Sequence, residues 1–206
     1  MRHSLEALQR LMPPLTASDT TVDWDRLTES WGRRFPASYQ RFMAVYGAGM
    51  IQNHLVIGDP EPWSEPPTGD DNCMRAGTAL ARRLWTEIDR REPDLEGVSP
   101  RLILWGVDSS GDNLCWDATD EDPEQWPVLL YHRQHGIWRR YDFGMTEFLV
   151  RLLDGAFPEC PLGDLTLFGR TNAMYLTTTE YWRRRRSGRD PWTGEPDPYA
   201  DMYRYD

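Results

Sequence analysis

The chain contains no lysine. All 23 of its cationic side chains are arginine, set against 33 carboxylates, so the formal net charge is −10. The replacement of lysine is what a GC-rich coding bias produces. It also fits selection for the planar guanidinium, which pairs with carboxylates at two points. Either way, the balance disfavours nucleic acid and anionic membranes at long range and attracts cationic partners. Cysteine is scarce. Cys73, Cys115 and Cys160 lie far apart with neither a CxxC pair nor a Cys/His ligand spacing, which suits a reducing compartment. No apolar run is long enough to span a bilayer, and "MRHSLEALQRLMPPL" lacks the continuous apolar core of a signal peptide. The reading is a soluble, cytoplasmic protein. There is no internal repeat, no glycine-rich phosphate loop between a strand and a helix, and no G-x-S-x-G elbow.

What is present is aromatic. The apolar content is only 39%, but ten Trp, nine Tyr and six Phe supply large buried areas. A chain of 206 residues can bury roughly 70% of its extended surface and needs no disulfide, metal or cofactor to fold.

The hydrophobic periodicity orders the elements. Asp23 is placed to cap a helix with Trp24, Leu27 and Trp31 on one side and Gly32 as its stop. "FPASYQRFMAVYGAG" opens a second helix whose buried stripe is Tyr39, Phe42, Met43 and Tyr46. "MIQNHLVIG" predicts a strand. "DPEPWSEPPTGDD" can only be loop, and a long helix is expected over 71–90. "RLILWGVD" and "DNLCWD" predict a strand pair around "SSGDN", with Leu114 and Trp116 on one face. An acidic loop follows, then a hairpin turning at 134–136, then a helix carrying Phe148, Leu149, Leu152 and Leu153 and stopped by Gly155. The fold class is α+β: an antiparallel meander packed with N-terminal helices, a long middle helix and a closing C-terminal helix. Beyond Pro158 the periodicity weakens. The expected division is a 1–157 domain and a 158–206 extension, the latter a short basic helix at 178–186 and an acidic, aromatic tail.

Three stretches carry a resemblance: "FPASYQRFMAVYGAG", "LWGVDSSGDNLCWD", and the hairpin followed by "FGMTEFLVRLLDG". In this order and spacing they resemble the SUKH superfamily, the domain of the yeast cell-wall-assembly regulator and of many bacterial immunity proteins. The resemblance spans residues 20 to 157. It implies a non-enzymatic binding domain, and in bacterial members one that neutralises a toxin, often a nuclease, by direct contact.

The segment from Asp108 to Glu124 is the main candidate for function. Asp108, Asp112, Asp117, Asp120, Glu121, Asp122 and Glu124 lie beside Trp116 and Trp126. Three roles suit them: a solvated turn-rich loop, a divalent metal site serving a hydrolase, or a surface for another protein. The spacing does not match an EF-hand loop, and no histidine joins the pattern. A carboxylate cluster with nearby rings can mimic the polyanion that a basic nuclease binds, with charge setting the on-rate and aromatics the lifetime. Trp63, within the proline-rich loop, is either a further partner anchor or a ring folded back on the core. His132 and His135 read as exposed turn residues, Cys115 as a buried thiol, and "RRRRSGR" as a solvated helix end pairing with the acidic tail. The partner-binding set is thus Asp108, Asp112, Trp116, Asp117, Asp120, Glu121, Asp122, Glu124, Trp126 and Trp63. The expected partner is a toxin with a basic surface. A regulatory scaffold is the alternative, and a hydrolase a lesser one.

Overall fold

The segment 102–108, LILWGVD, is apolar at both odd and even positions. Successive strand residues face opposite sides, so this strand needs cover on both. A computed structural model, which describes residues 2–15, 18, 20–63, 74–88 and 90–200 (the side chains of 2 and 3 excepted), shows how that is met. The strands are β1 (Gly49–Ile51), β2 (Leu55–Ile57), β3 (Leu102–Asp108), β4 (Asn113–Asp117), β5 (Val128–His132), β6 (Ile137–Tyr141) and β7 (Tyr175–Thr177). They form one sheet in the order β6-β5-β4-β3-β2-β1-β7, antiparallel at every pairing.

Register assigns the two faces. Ile103 pairs with Trp116 and Leu104 with Cys115. Ile103, Trp105, Leu114, Trp116, Val128 and Leu130 belong to the larger core. That side is covered by α1 (Arg2–Leu11), α2 (Trp24–Trp31), α3 (Ala37–Tyr46) and α5 (Met145–Asp154). Leu102, Leu104, Cys115, Leu129, Tyr131 and Trp138 face the other way, under α4 (Met74–Glu87) and the short 3-10 helix Pro93–Leu95. The architecture is therefore α+β, with an antiparallel sheet between a multi-helix layer and a single long helix.

Local signals set the helix ends. The Asp23 side chain accepts from Arg26 N, and Gly32 and Gly155 end α2 and α5 in the left-handed conformation. Phe35 sits at the centre of the aromatic packing, its ring 6.0 Å from those of Trp24, Trp31 and Tyr39, 6.3 Å from Trp116 and 6.4 Å from Trp126. Such pairs add about 0.5–1.5 kcal/mol each beyond area burial.

Three features depart from the sequence reading. The single strand expected at 50–58 is the hairpin β1–β2. Its turn puts Gln52 and Asn53 at φ 47° and 62°, and His54 N bonds back to Ile51 O at 2.8 Å. The N-terminal helix α1 was not anticipated, yet its Leu8 is fully buried, as is Met12 just beyond it. The third is β7. The chain beyond Pro158 supplies this edge strand, and Leu162, Leu167, Ala173 and Tyr175 enter the larger core. The helix expected at 178–186 is α6 (Thr178–Arg186), capped by Thr177. The middle helix starts at Met74; residues 71–73, Cys73 among them, and the Ser64–Asp71 part of the proline-rich loop lie outside the described residues.

The β1–β7 pairing depends on Gly49, because a Cβ there would stand 2.2 Å from the Leu176 carbonyl oxygen and 2.9 Å from the Thr177 Cα. Neither backbone atom can yield cheaply. Gly49→Ala is expected to lower unfolding stability by about 2–3 kcal/mol, read as a lower urea midpoint, with amide protons of 175–177 exchanging faster.

Candidate functional site

The turns β1–β2, β3–β4 and β5–β6 lie at one end of the sheet, and the segment 160–166 crosses them. Asp108 ends β3 and is 5% exposed; Asp112 is wholly buried. Asp108 Oδ1 accepts from Asp112 N (2.8 Å) and Oδ2 from Asp164 N (3.3 Å). Asp112 Oδ1 accepts from Arg133 N (2.8 Å) and Oδ2 from Gly163 N (2.7 Å). Asp164 Oδ2 takes hydrogen bonds from Ser109 Oγ and lies 2.6 Å from His54 Nδ1. These carboxylates act as acceptors for backbone N–H groups that would otherwise be buried unpaired.

The electrostatics follow from that geometry. Burial pushes Asp108 up to about 6; the Asp112 N–H hydrogen bond opposes this and the Asp112 charge adds to it. Burial also acts on Asp164, but hydrogen bonds from Ser109, Thr166 and His54 outweigh it and hold this carboxyl below the usual range. His132 is buried, stacked on His135 at 4.2 Å, and its pKa is lowered by burial against the attraction of Asp112, 3.9 Å away. The expectation that both histidines are exposed turn residues is corrected for His132.

The expected acidic surface divides by burial. Asp108, Asp112, Trp116, Asp117 and Trp126 are buried and offer a partner no surface in this conformation. The physical reason is that strand-end aspartates satisfy turns, while the tryptophans stand on the covered face. Asp117 Oδ1 accepts from the N–H groups of Arg101 (3.1 Å) and Thr119 (3.2 Å). The Trp126 indole donates to Asp120 O at 2.9 Å. Asp120, Glu121 and Asp122 are exposed and Glu124 is half-buried. This remaining set is held stiffly. Asp120 Oδ1 accepts from Asp122 N, Asp122 caps the 3-10 helix Pro123–Gln125, and Glu124 accepts from Ala37 N at the start of α3. Trp63 folds back: its ring lies 5.0 Å from Trp31, with the Arg82 guanidinium 4.8 Å from its centroid.

One grouping had no sequence signal, and one follows the expected pairing of the basic run with the acidic tail. The His54–Asp164 contact joins residues 110 positions apart. In the basic run, Arg183 and Arg184 each reach Glu180 at 2.6 Å, within the helix, and Arg185 meets Asp197 in the tail at 3.9 Å. Hydrogen bonding from Arg183 above all holds Glu180 down at about 2. Cys115 is buried, and burial raises its thiol pKa. Among the described residues, no group of three or more His, Cys, Asp or Glu is placed to hold a metal ion, and no helix is long and apolar enough to cross a membrane.

The β6 edge of the sheet is partly covered. On β6, Trp138 exchanges backbone hydrogen bonds with Arg90 and Glu92; at the other end of the sheet the first residue of α6 extends the β1–β7 pairing with a bond to Ala48 O. This frame of capped helices, meander and closing helix matches the SUKH_6 family model, described as SMI1-KNR4 cell-wall, over residues 23–149. The chain belongs to the SUKH family. Comparison with curated proteins and with solved structures gives no match. The SUKH match begins at the cap of α2 and ends within α5, so α1 and β7 lie outside it.

Two outcomes follow for this SUKH domain. Asp112→Ala takes the acceptor from two part-buried N–H groups and is expected to cost about 2–3 kcal/mol, whereas Asp120→Asn, exposed, changes stability by less than about 0.5 kcal/mol in the same urea titration. Because the native pKa of Asp108 is raised to about 6, between the unfolded value and that point the native state holds the extra proton and loses stability as pH rises. The stability of the wild type relative to Asp108→Asn is therefore expected to be greater at pH 4 than at pH 7; a flat difference contradicts the assignment.

Proposed function

We propose that this SUKH protein is an immunity-type binding protein that neutralises a cognate bacterial toxin by direct contact, with no chemistry of its own. The observation that carries the reading is the rigid, exposed acidic loop 119–125 on a family member of net charge −10. α2 extends the same charge: Asp25 and Glu29 are exposed one turn apart, and Arg33, just past its end, hydrogen-bonds Asp120 O at 3.4 Å. On this reading recognition falls to side chains on this surface. Carboxylates already fixed by capping bonds lose little freedom on binding. Their field raises the rate at which a basic partner, such as a nuclease with a phosphate-binding cleft, arrives.

The test is co-expression with a toxin encoded beside the gene. The expected result is rescued growth and a stable complex of the two purified proteins. Asp120→Asn/Glu121→Gln/Asp122→Asn keeps the caps, since Asn substitutes for Asp there. It is expected to slow association about tenfold at low salt and flatten the salt dependence, with dissociation changed by less than about twofold. Absence of a complex, or recovery of a housekeeping assembly as the specific partner, overturns the reading in favour of a regulatory scaffold.

A further inference from the structure

Beside the acidic loop lies a feature of opposite sign. A half-open cleft of about 270 Å³ sits at the C-terminal end of α2, lined by Trp31, Trp63, Arg82 and Arg101 with Glu29 on its wall. Its floor is the Trp31–Trp63 edge contact. Arg101 Nη2 donates to Trp31 O at 2.7 Å, and Arg33 Nη1 to Asp120 O. Both acceptors are backbone carbonyls. Although the chain has 33 carboxylates, none among the described residues forms an ion pair with Arg33 or Arg101. Burial lowers the basicity of Arg101, and the neighbouring charge of Arg33 lowers it further. Two guanidinium groups near enough for one charge to act on the other, with no ion pair to a carboxylate among the described residues, is an arrangement that folding alone does not favour in so acidic a protein.

We propose that this cleft receives a single carboxylate side chain of the partner protein, with the Arg101 guanidinium as a planar two-point clamp, Arg33 adding charge and the Trp63 ring as the apolar wall. The proposal rests on the partner-binding reading above and specifies one of its contacts. A guanidinium has five N–H donors, and one hydrogen bond to Trp31 O leaves the others for a ligand. Carboxylate geometry matches the fork at two points. The net charge of the chain opposes a polyanion, but an isolated acid on a basic partner is carried in by the rest of that partner's charge. Arg and Trp are also the residue types that dominate binding energy at interfaces.

The measurement is NMR titration of the full chain, following the Arg101 Nε–H and Trp63 indole N–H signals. The probe is N-acetyl-glutamate amide, with N-acetyl-glutamine amide as its neutral control and the oligonucleotide dT8 as a phosphate arm. The expected result is a saturable shift with the acid, at an affinity at least fivefold above that of the neutral control. Arg101→Gln and, separately, Arg33→Gln remove the difference, while Arg140→Gln at the β6 edge leaves it. Equal responses to acid and amide overturn the proposal, as does a response confined to dT8. So does a response that appears only after Glu65, Asp70 and Asp71 are changed to Gln and Asn, which assigns the cleft to the chain itself. A toxin complex whose affinity is unchanged in Arg101→Gln and Arg33→Gln sinks the cleft and leaves the immunity reading standing. A probe response without any toxin complex does the reverse.

Discussion

A sheet that is apolar on both faces has to be covered twice, and the rest of the molecule is arranged around that constraint. Ile103, Trp105 and Trp116 point one way from β3 and β4, Leu104 and Cys115 the other. One long helix suffices for the smaller core. The larger side carries indoles and phenyl rings too bulky for one helix to bury, and four helices share them. The chain that follows α5 then returns to add β7 at the edge. Its Tyr175 donates to Gly47 O at 2.8 Å and so fixes the strand to the end of α3.

Covering both faces displaces polar work to the strand ends. Backbone N–H groups in tight turns, shielded from water by the crossing segment 160–166, need acceptors, and aspartate supplies two oxygens each. Asp112 is the extreme case: wholly buried, it spends both oxygens on N–H groups from different parts of the chain. Buried carboxylates satisfied by amides rather than cations stabilise a specific crossing of chain segments. They contribute nothing to a recognition surface. The same residue type one loop later is exposed and sets the external field.

This division explains what was legible in the sequence. Local rules were readable where a single neighbourhood decides the outcome: Asp23 as a cap, Gly32 and Gly155 as stops, Leu114 and Trp116 on one face of a strand. The family resemblance, resting on such local blocks in order, was readable too. The hairpin turn at 52–54 was hidden because Asn53, rather than glycine, takes the left-handed conformation inside a β-rich run. β7 and the His54–Asp164 contact depend on pairings across more than a hundred residues, for which a one-dimensional pattern holds no signal. The acids from 108 to 124 looked uniform because charge is visible in sequence and burial is not. Asp108, Asp112 and Asp117 differ from Asp120 and Asp122 only in whether the chain around them closes over.

The exposed remainder is of mixed sign, and that bears on specificity more than on affinity. A purely acidic face would accept any basic protein, in many orientations, because screened charges are poor at fixing register. On the proposed reading, an arginine pair bordering the acidic loop changes the selection. A partner whose surface is basic throughout gains from Asp120, Glu121 and Asp122 but is repelled where Arg33 and Arg101 stand. One carrying an acid at the matching position gains at both. Like-charge juxtaposition at an interface costs several kcal/mol against wrong partners, and discrimination of this kind needs the repulsive element as much as the attractive one. The bond from Arg33 to Asp120 O joins the two charge regions at one point, so on the proposed reading a partner would meet them together rather than as independent patches.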